Sequence, residues 1–492
     1  MKISEISMFV LYLLFMVGIG VYFFMKNKTG GEKSYFLGGR QMGPWVTALS
    51  AGASDMSAWV LMGLPTAVYA LGLGQVWIPI GLALGYALSW IFLAPRLRKF
   101  SIVADDSITI PQFLANRFLA KSRTLQIICA AVFLFAYTVY AASSIKACGT
   151  LFNTVIGIKE QTAMYIAAII IISYTFLGGF SAVCWTDFFQ GMLILGAMLI
   201  APIFAIFMLK GAGAGAPEEA GYLNMFSSWQ DIVSGFAWGL GYFGMPHIII
   251  RFMSLRSQKE LKKSATIGIS WTVLILVFAA VIGVIGRRFL GFSEEISGSS
   301  TVFIEMVRRI FPGIVSGLLL SAVLAASMST ADSQLLAASS SFASDIYNPI
   351  VRKKQASDSE MLWVGRLVVL IVAEAALLIA SNPNSGSIMD LVSNAWGIFG
   401  AAFGPSIILS LFWKRFNFKG AVAGILAGGV ADLLWLYLFN SGEKSLIFNT
   451  GVYELAPAFF VGLITAVIVA LATKAPSKAE EELFDKALKY ED

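Results

Sequence analysis

The sequence is poor in the residues that carry most protein chemistry. It has one histidine, His247, and three cysteines, Cys129, Cys148 and Cys184, among 492 residues. That is too few soft ligands for a His/Cys zinc or haem site. Three widely spaced cysteines in apolar runs do not make a disulfide scaffold, and they read as small buried hydrophobes. A single histidine excludes an HExxH metalloprotease helix, and Gly-Lys never occurs, so there is no GxxxxGK[ST] phosphate loop. The GxSG and GxGD patterns of intramembrane proteases are absent as well. Charge is scarce too: 13% of residues, against about 25% in a soluble domain. Disorder, coiled coil and nucleic-acid binding are excluded, and nothing in the sequence supports an enzyme.

What is abundant is apolar surface. Hydrophobic residues make up 58% of the chain and mean hydropathy is +0.77. The excess runs through nearly the whole length, so the solvent for most of the surface is lipid. The 46 glycines fit that reading, since glycine is more frequent in membrane helices than in soluble ones. Crossing a bilayer takes about 20 apolar residues. Thirteen stretches qualify, at roughly 5–25, 43–70, 75–95, 125–152, 162–180, 186–209, 230–253, 265–290, 312–344, 362–381, 387–413, 419–440 and 453–473. We number them spans 1 to 13. Span 1 lacks a small-x-small cleavage site and is read as a helix rather than a signal peptide.

Lysine and arginine accumulate in cytoplasmic loops. With the N-terminus outside and the C-terminus inside, 26 of the 35 fall on the cytoplasmic side. The reverse orientation would place 9 there. The net charge of +6 is thereby explained as a surface facing anionic headgroups of the cell membrane.

Spans 2 and 7 stand apart. Span 2 carries AGASDMSAW (51–59) and span 7 carries WGLGYFGMPH (238–247). Small residues, proline and polar groups in mid-membrane suggest a broken helix, which is tolerated where it lines a cavity. The two spans are five apart, so five-helix units starting there have opposite orientation. That is the pattern of inverted-repeat transporters. The expected organisation is a first helix and loop (1–42), repeat 1 (43–209), repeat 2 (210–415), two peripheral helices (416–474) and a charged cytoplasmic tail (475–492), read as a solvated helix. Small residues also serve ordinary close packing.

Asp55 is the sharpest polar feature, because a carboxylate in mid-membrane is rare and usually faces the bundle interior. It either attracts a cation or caps the freed N–H groups of a half-helix. Span 9 contains LSAVLAASMSTADSQ (320–334). Ala326, Ser329 and Thr330 share one helix face there. They offer oxygen to a hard cation, or the hydroxyls bond back to their own helix. Trp59, Tyr140, Trp238 and Tyr242 either wall a pocket for a small solute or mark interfaces and core. Asp187 and Arg40 are candidates for an inner gate or a plain interfacial pair. Lys146, Glu374 and Asp432 are read as inward-facing polar contacts, and His247 as structural.

FLGGR (36–40), TALSAGASDMSAWVLMG (47–63), AYTVYAAS (136–143), WGLGYFGMPH, LAASMST (324–330) and WVGR (363–366) resemble the sodium/solute symporter family, with the best likeness to its bacterial sodium/proline branch. The resemblance covers essentially the whole chain. It implies an all-α LeuT-like core of ten helices, spans 2 to 11. It implies a sodium site of the backbone oxygens of Ala53, Met56 and Ala326 with the hydroxyls of Ser329 and Thr330, and ion coupling through Asp55 and Ser57. A proline pocket would lie between Trp59, Gly63, Tyr140, Trp238, Tyr242 and Pro246. Arg40 and Asp187 carry over to the cytoplasmic half. The implied partners are L-proline, Na⁺ and the bilayer, with no organic cofactor, nucleic acid or obligate protein partner. Symport of another amino acid, a sugar or a vitamin is the alternative. Two positions depart from the family pattern: Ala58 stands where glycine is expected, and Met245 where glutamine is.

Overall fold

The computed structural model describes residues 3–26, 32–212, 221–440 and 445–491. Lys28, one of the basic residues counted for orientation, lies outside them. The described residues are helical, with no strand and a single isolated bridge, Met42 to Leu255. Among the described residues, ten helices are long and apolar enough to cross a membrane. The other three expected spans are the two broken ones and span 5, whose apolar stretch Glu160–Ser173 is short. Spans 5 and 6 run on as Glu160–Ala212, kinked at Gly179, where φ is 62°. Apolar side chains cover the outside: Phe207, Leu378 and Ile371 are 67%, 66% and 60% exposed. That belt is where the unusual composition goes.

Proline and glycine set the breaks. Span 2 is a helix Pro44–Asp55, a non-helical Met56 (φ −78°, ψ 70°), a wide turn Trp59–Gly63 and a second helix Leu64–Leu71. Span 7 is Trp229–Trp238, a tight turn Gly239–Phe243 and a second helix Pro246–Ser254. Pro44, Pro65 and Pro246 each sit in a first turn, where the missing N–H costs nothing.

Span 3 crosses span 7 at its glycines. A Cβ on Gly81 would stand 1.9 Å from the Gly235 carbonyl oxygen, and one on Gly85 2.1 Å from that of Gly239. Backbone lies on backbone, as small residues allow between membrane helices. Gly81→Ala must push the two helices apart. A loss of about 1–3 kcal/mol is expected, on the scale of overpacking, read as a lower unfolding temperature in detergent. An unchanged midpoint would contradict this crossing.

Two polar expectations need correction. Glu374 is exposed on the outer surface rather than turned inward, because its helix presents that face away from the bundle. The C-terminal helix Lys478–Lys489 is docked rather than free in solvent. Its Phe484 lies edge-on to Phe100 at 5.1 Å and under the Arg117 guanidinium at 4.8 Å, and Asp485 pairs with Lys414 at 2.8 Å.

Candidate functional site

The break in span 2 releases backbone oxygen. In a continuous helix the Ser57 N–H would bond the Ala53 carbonyl; here it bonds Asp55 at 2.9 Å. The Ala53 oxygen instead accepts the Ser329 hydroxyl at 2.8 Å, and Ser329 also reaches the Ala326 oxygen at 3.2 Å. Spans 2 and 9 thus meet through two carbonyls and one hydroxyl. Thr330 is fully buried beside Ser329 and its hydroxyl has no partner. Met56 and Ser57 complete the break and are buried too. Other buried hydroxyls, such as those of Thr47, Ser144 and Thr272, are unpartnered too, so what marks Thr330 is its place next to Ser329 at the meeting of spans 2 and 9. Neutral oxygens around a broken helix suit a hard monovalent cation that must also leave.

Asp55 ends the first half of span 2 and is fully buried. One of its oxygens accepts a short hydrogen bond from the Tyr242 hydroxyl, and the other has no partner. The Trp59 indole N–H donates to the Asp55 carbonyl at 3.3 Å. The oxygen cluster is therefore wired to an aromatic one. Trp59 stacks on Trp238 with centroids 6.2 Å apart and planes at 28°. Tyr140 lies against Ser57 and Trp59. Gly63 lacks a side chain where a Cβ would touch both Trp59 and Met389 at 3.5 Å. Pro246 opens the lower half of span 7, next to His247, whose ring sits between Tyr137 and Tyr140. The six aromatic, glycine and proline positions singled out for a solute are thus drawn to one place. All are buried.

Residues that sequence reasoning passed over close the wall. Trp396 of span 11 meets Tyr242 edge-on at 5.0 Å and donates to the Trp238 carbonyl at 2.8 Å. Tyr453 stacks on the far side of Trp238 at 4.9 Å. Tyr86 of span 3 packs on Tyr242 at 5.1 Å. The local signal, a lone aromatic in an aromatic-rich span, was not distinctive.

An Arg40–Asp187 pair does not form. Arg40 has a positive φ of 56° at the end of the glycine turn and is aimed at the 101–107 segment. There it donates to Asp106 at 2.9 Å, Ser101 at 3.1 Å and the Ser107 carbonyl at 2.8 Å, and reaches the Met253 carbonyl at 2.6 Å. Burial holds its guanidinium below the ordinary arginine value, with Asp106 pulling the other way. Asp187 is taken by Arg251 at 3.1 Å and by Ser50 at 2.6 Å. The same Arg251 bonds Ser50 at 3.1 Å, Ser333 at 2.6 Å and the His247 carbonyl. One buried guanidinium thus ties spans 2, 6, 7 and 9 together. Arg251 was legible only as one basic residue near a loop.

A bundle whose two broken helices meet at a buried centre lined by oxygen on one side and aromatic rings on the other defines a secondary transporter. The profile of the sodium:solute symporter family matches residues 35–428, and the chain belongs to that family. It is a symporter, then, and not an enzyme. It is 42% identical to a "High-affinity proline transporter PutP" of Bacillus subtilis, over 94% of this chain and 97% of that one. It is also 42% identical to a "Sodium/proline symporter" of Staphylococcus aureus, over 97% and 94%. Among solved structures it resembles a Na⁺-coupled sialic acid symporter, with TM-score 0.76 and 21% identity over 97% of this chain and 99% of that one. It also resembles MhsT, solved with L-phenylalanine, with TM-score 0.56 and 15% identity over 88% and 99%. These likenesses establish the LeuT-like fold.

Proposed function

We propose that this protein moves L-proline into the cell together with Na⁺ by alternating access. The observation that carries the reading is the Tyr242–Asp55 hydrogen bond, which joins an oxygen cluster suited to sodium to an aromatic pocket suited to a small ring. The names of these relatives support proline as the solute. Sodium is held by the carbonyls of Ala53, Met56 and Ala326 and the hydroxyls of Ser329 and Thr330. Asp55 and Ser57 couple ion to solute. Proline sits among Trp59, Gly63, Tyr140, Trp238, Tyr242 and Pro246. Arg251 with Asp187, and Arg40 with the 101–107 segment, close the cytoplasmic side. The N-terminus is outside and the C-terminus inside, with 43–209 and 210–415 forming the two inverted repeats around the site.

The energetics suffice without ATP. A potential of 100 mV is worth about 2.3 kcal/mol per charge, and a tenfold sodium gradient about 1.4 kcal/mol. With one ion per solute, the total of about 3.7 kcal/mol sustains accumulation on the order of 500-fold. Uptake of labelled proline into proteoliposomes tests the reading: uphill uptake only under an inward sodium gradient supports it. Efficient competition by a different solute and none by proline would replace the substrate. Trp238→Ala removes the ring that stacks on Trp59 and Tyr453. Proline affinity is expected to fall about tenfold, on the energy scale of an aromatic pair, as read by equilibrium binding. Unaltered affinity would put the pocket elsewhere.

A further inference from the structure

Outside the ten-helix core lies a pair of buried acids that the symport reading leaves unused. Asp432 is in the helix Phe418–Phe439 of span 12, fully buried, and neither carboxylate oxygen has a hydrogen-bond partner. Its carboxylate presses on span 11 where Gly397 has no side chain: a Cβ there would be 2.7 Å from Oδ1. Glu454 sits at the start of span 13, 1% exposed. One of its oxygens accepts the Asn440 amide at 2.7 Å, and the other has no partner. The two carboxylates are close enough to feel each other's charge. From span 11 Asp390 adds a further negative charge toward Glu454. No described lysine, arginine or histidine forms an ion pair or hydrogen bond with Asp432 or Glu454.

Two ionised carboxylates in such a place would each carry a desolvation penalty of several kcal/mol, with repulsion added. A buried acid without a cationic partner resolves this by staying neutral. A metal ion would need a shell of several oxygens. Span 12 is an unbroken helix at Asp432, so its carbonyls are engaged in their own turns. A proton needs one oxygen.

We propose that Asp432 and Glu454 form a proton-binding site, separate from the sodium site, that holds at least one proton while the seam between spans 11, 12 and 13 is closed. Tyr453, next to Glu454, stacks on Trp238 and donates its hydroxyl to the Ser393 carbonyl at 2.7 Å. Loss of the proton charges the seam beneath Tyr453 and loosens its hold on Trp238. External pH then tunes solute affinity. This last link rests on Trp238 lining the solute pocket; the proton site does not.

Infrared difference spectra of the purified, lipid-reconstituted protein between mildly acidic and alkaline pH test the site directly. The C=O stretch of a buried protonated carboxyl is expected, lost in Asp432→Asn and shifted in Glu454→Gln. A band unaffected by either substitution overturns the proposal. In the unmutated protein, a band abolished by adding NaCl at constant pH assigns the site to a metal ion and also overturns it. Proline affinity is expected to weaken several-fold toward alkaline pH in the wild type and to become flat with pH in Asp432→Asn. A band that titrates without any change in affinity removes the link to Trp238. A protein that shows the band but binds no proline would refute the solute assignment and leave the proton site standing.

Discussion

Arg251→Ala is expected to abolish sodium-driven uptake and to lower stability by about 3–5 kcal/mol, the scale of breaking a buried ion pair from one side. The substitution leaves Asp187, fully buried, with Ser50 alone. It also strips Ser333 and the His247 carbonyl of their shared donor. Lysine is not a substitute, because three guanidinium nitrogens serve four elements at once and an ammonium group cannot span them. A second variant separates fold from gate. Arg251→Leu with Asp187→Leu removes both charges, and replacing a buried pair with apolar residues is often neutral or stabilising. The double variant is expected to regain the unfolding temperature and still fail to transport, since no polar clamp closes the cytoplasmic half. Unfolding in detergent and uptake in proteoliposomes read the two effects. Normal uptake by the double variant would show that the cluster is structural only.

Thr330→Ala is expected to raise the sodium concentration for half-maximal uptake about tenfold, the loss of one oxygen ligand worth about 1–1.5 kcal/mol. Stability should fall only by the buried γ-methyl that alanine also lacks, about 1 kcal/mol. The Thr330 hydroxyl is buried without a partner, so its removal breaks no bond within the protein. Most buried hydroxyls do not offer this separation of ion binding from folding. Thr330→Ser keeps the oxygen and is expected to keep most of the sodium affinity. Protein recovered in the membrane provides the control. Sodium dependence unchanged in Thr330→Ala would remove this residue from the ion site.

The parts of this molecule that announced themselves in the sequence are those where local composition breaks a rule. AGASDMSAW and WGLGYFGMPH violate the apolar monotony of a span, and the helices do break there. Ser329 and Thr330 were visible as a dense hydroxyl run. What stayed hidden depends on azimuth and on distant partners. Arg40 and Asp187 were expected as partners, but counting spans gives depth and not direction, and each found another partner. Arg251 counted as a loop charge, although the helix Pro246–Ser254 that carries it is buried along its whole length. Trp396 is 158 residues from the carbonyl it holds, and no local pattern announces such a contact. Asp432 looked like an ordinary inward polar contact; only the three-dimensional packing shows that nothing neutralises it.

The glycine crossing of spans 3 and 7 has a mechanical meaning. Most helix contacts absorb small displacements by side chains changing rotamer, and at the glycine positions there are no side chains to turn. Gly81 and Gly85 lie directly on the backbone of Gly235 and Gly239. The two helices are therefore riveted, and any stroke that carries Trp238 and Tyr242 must carry span 3 and Tyr86 with it. The compliant joints of the cycle then lie elsewhere, at the Met56 break and the Gly179 kink, where the backbone itself departs from the helix.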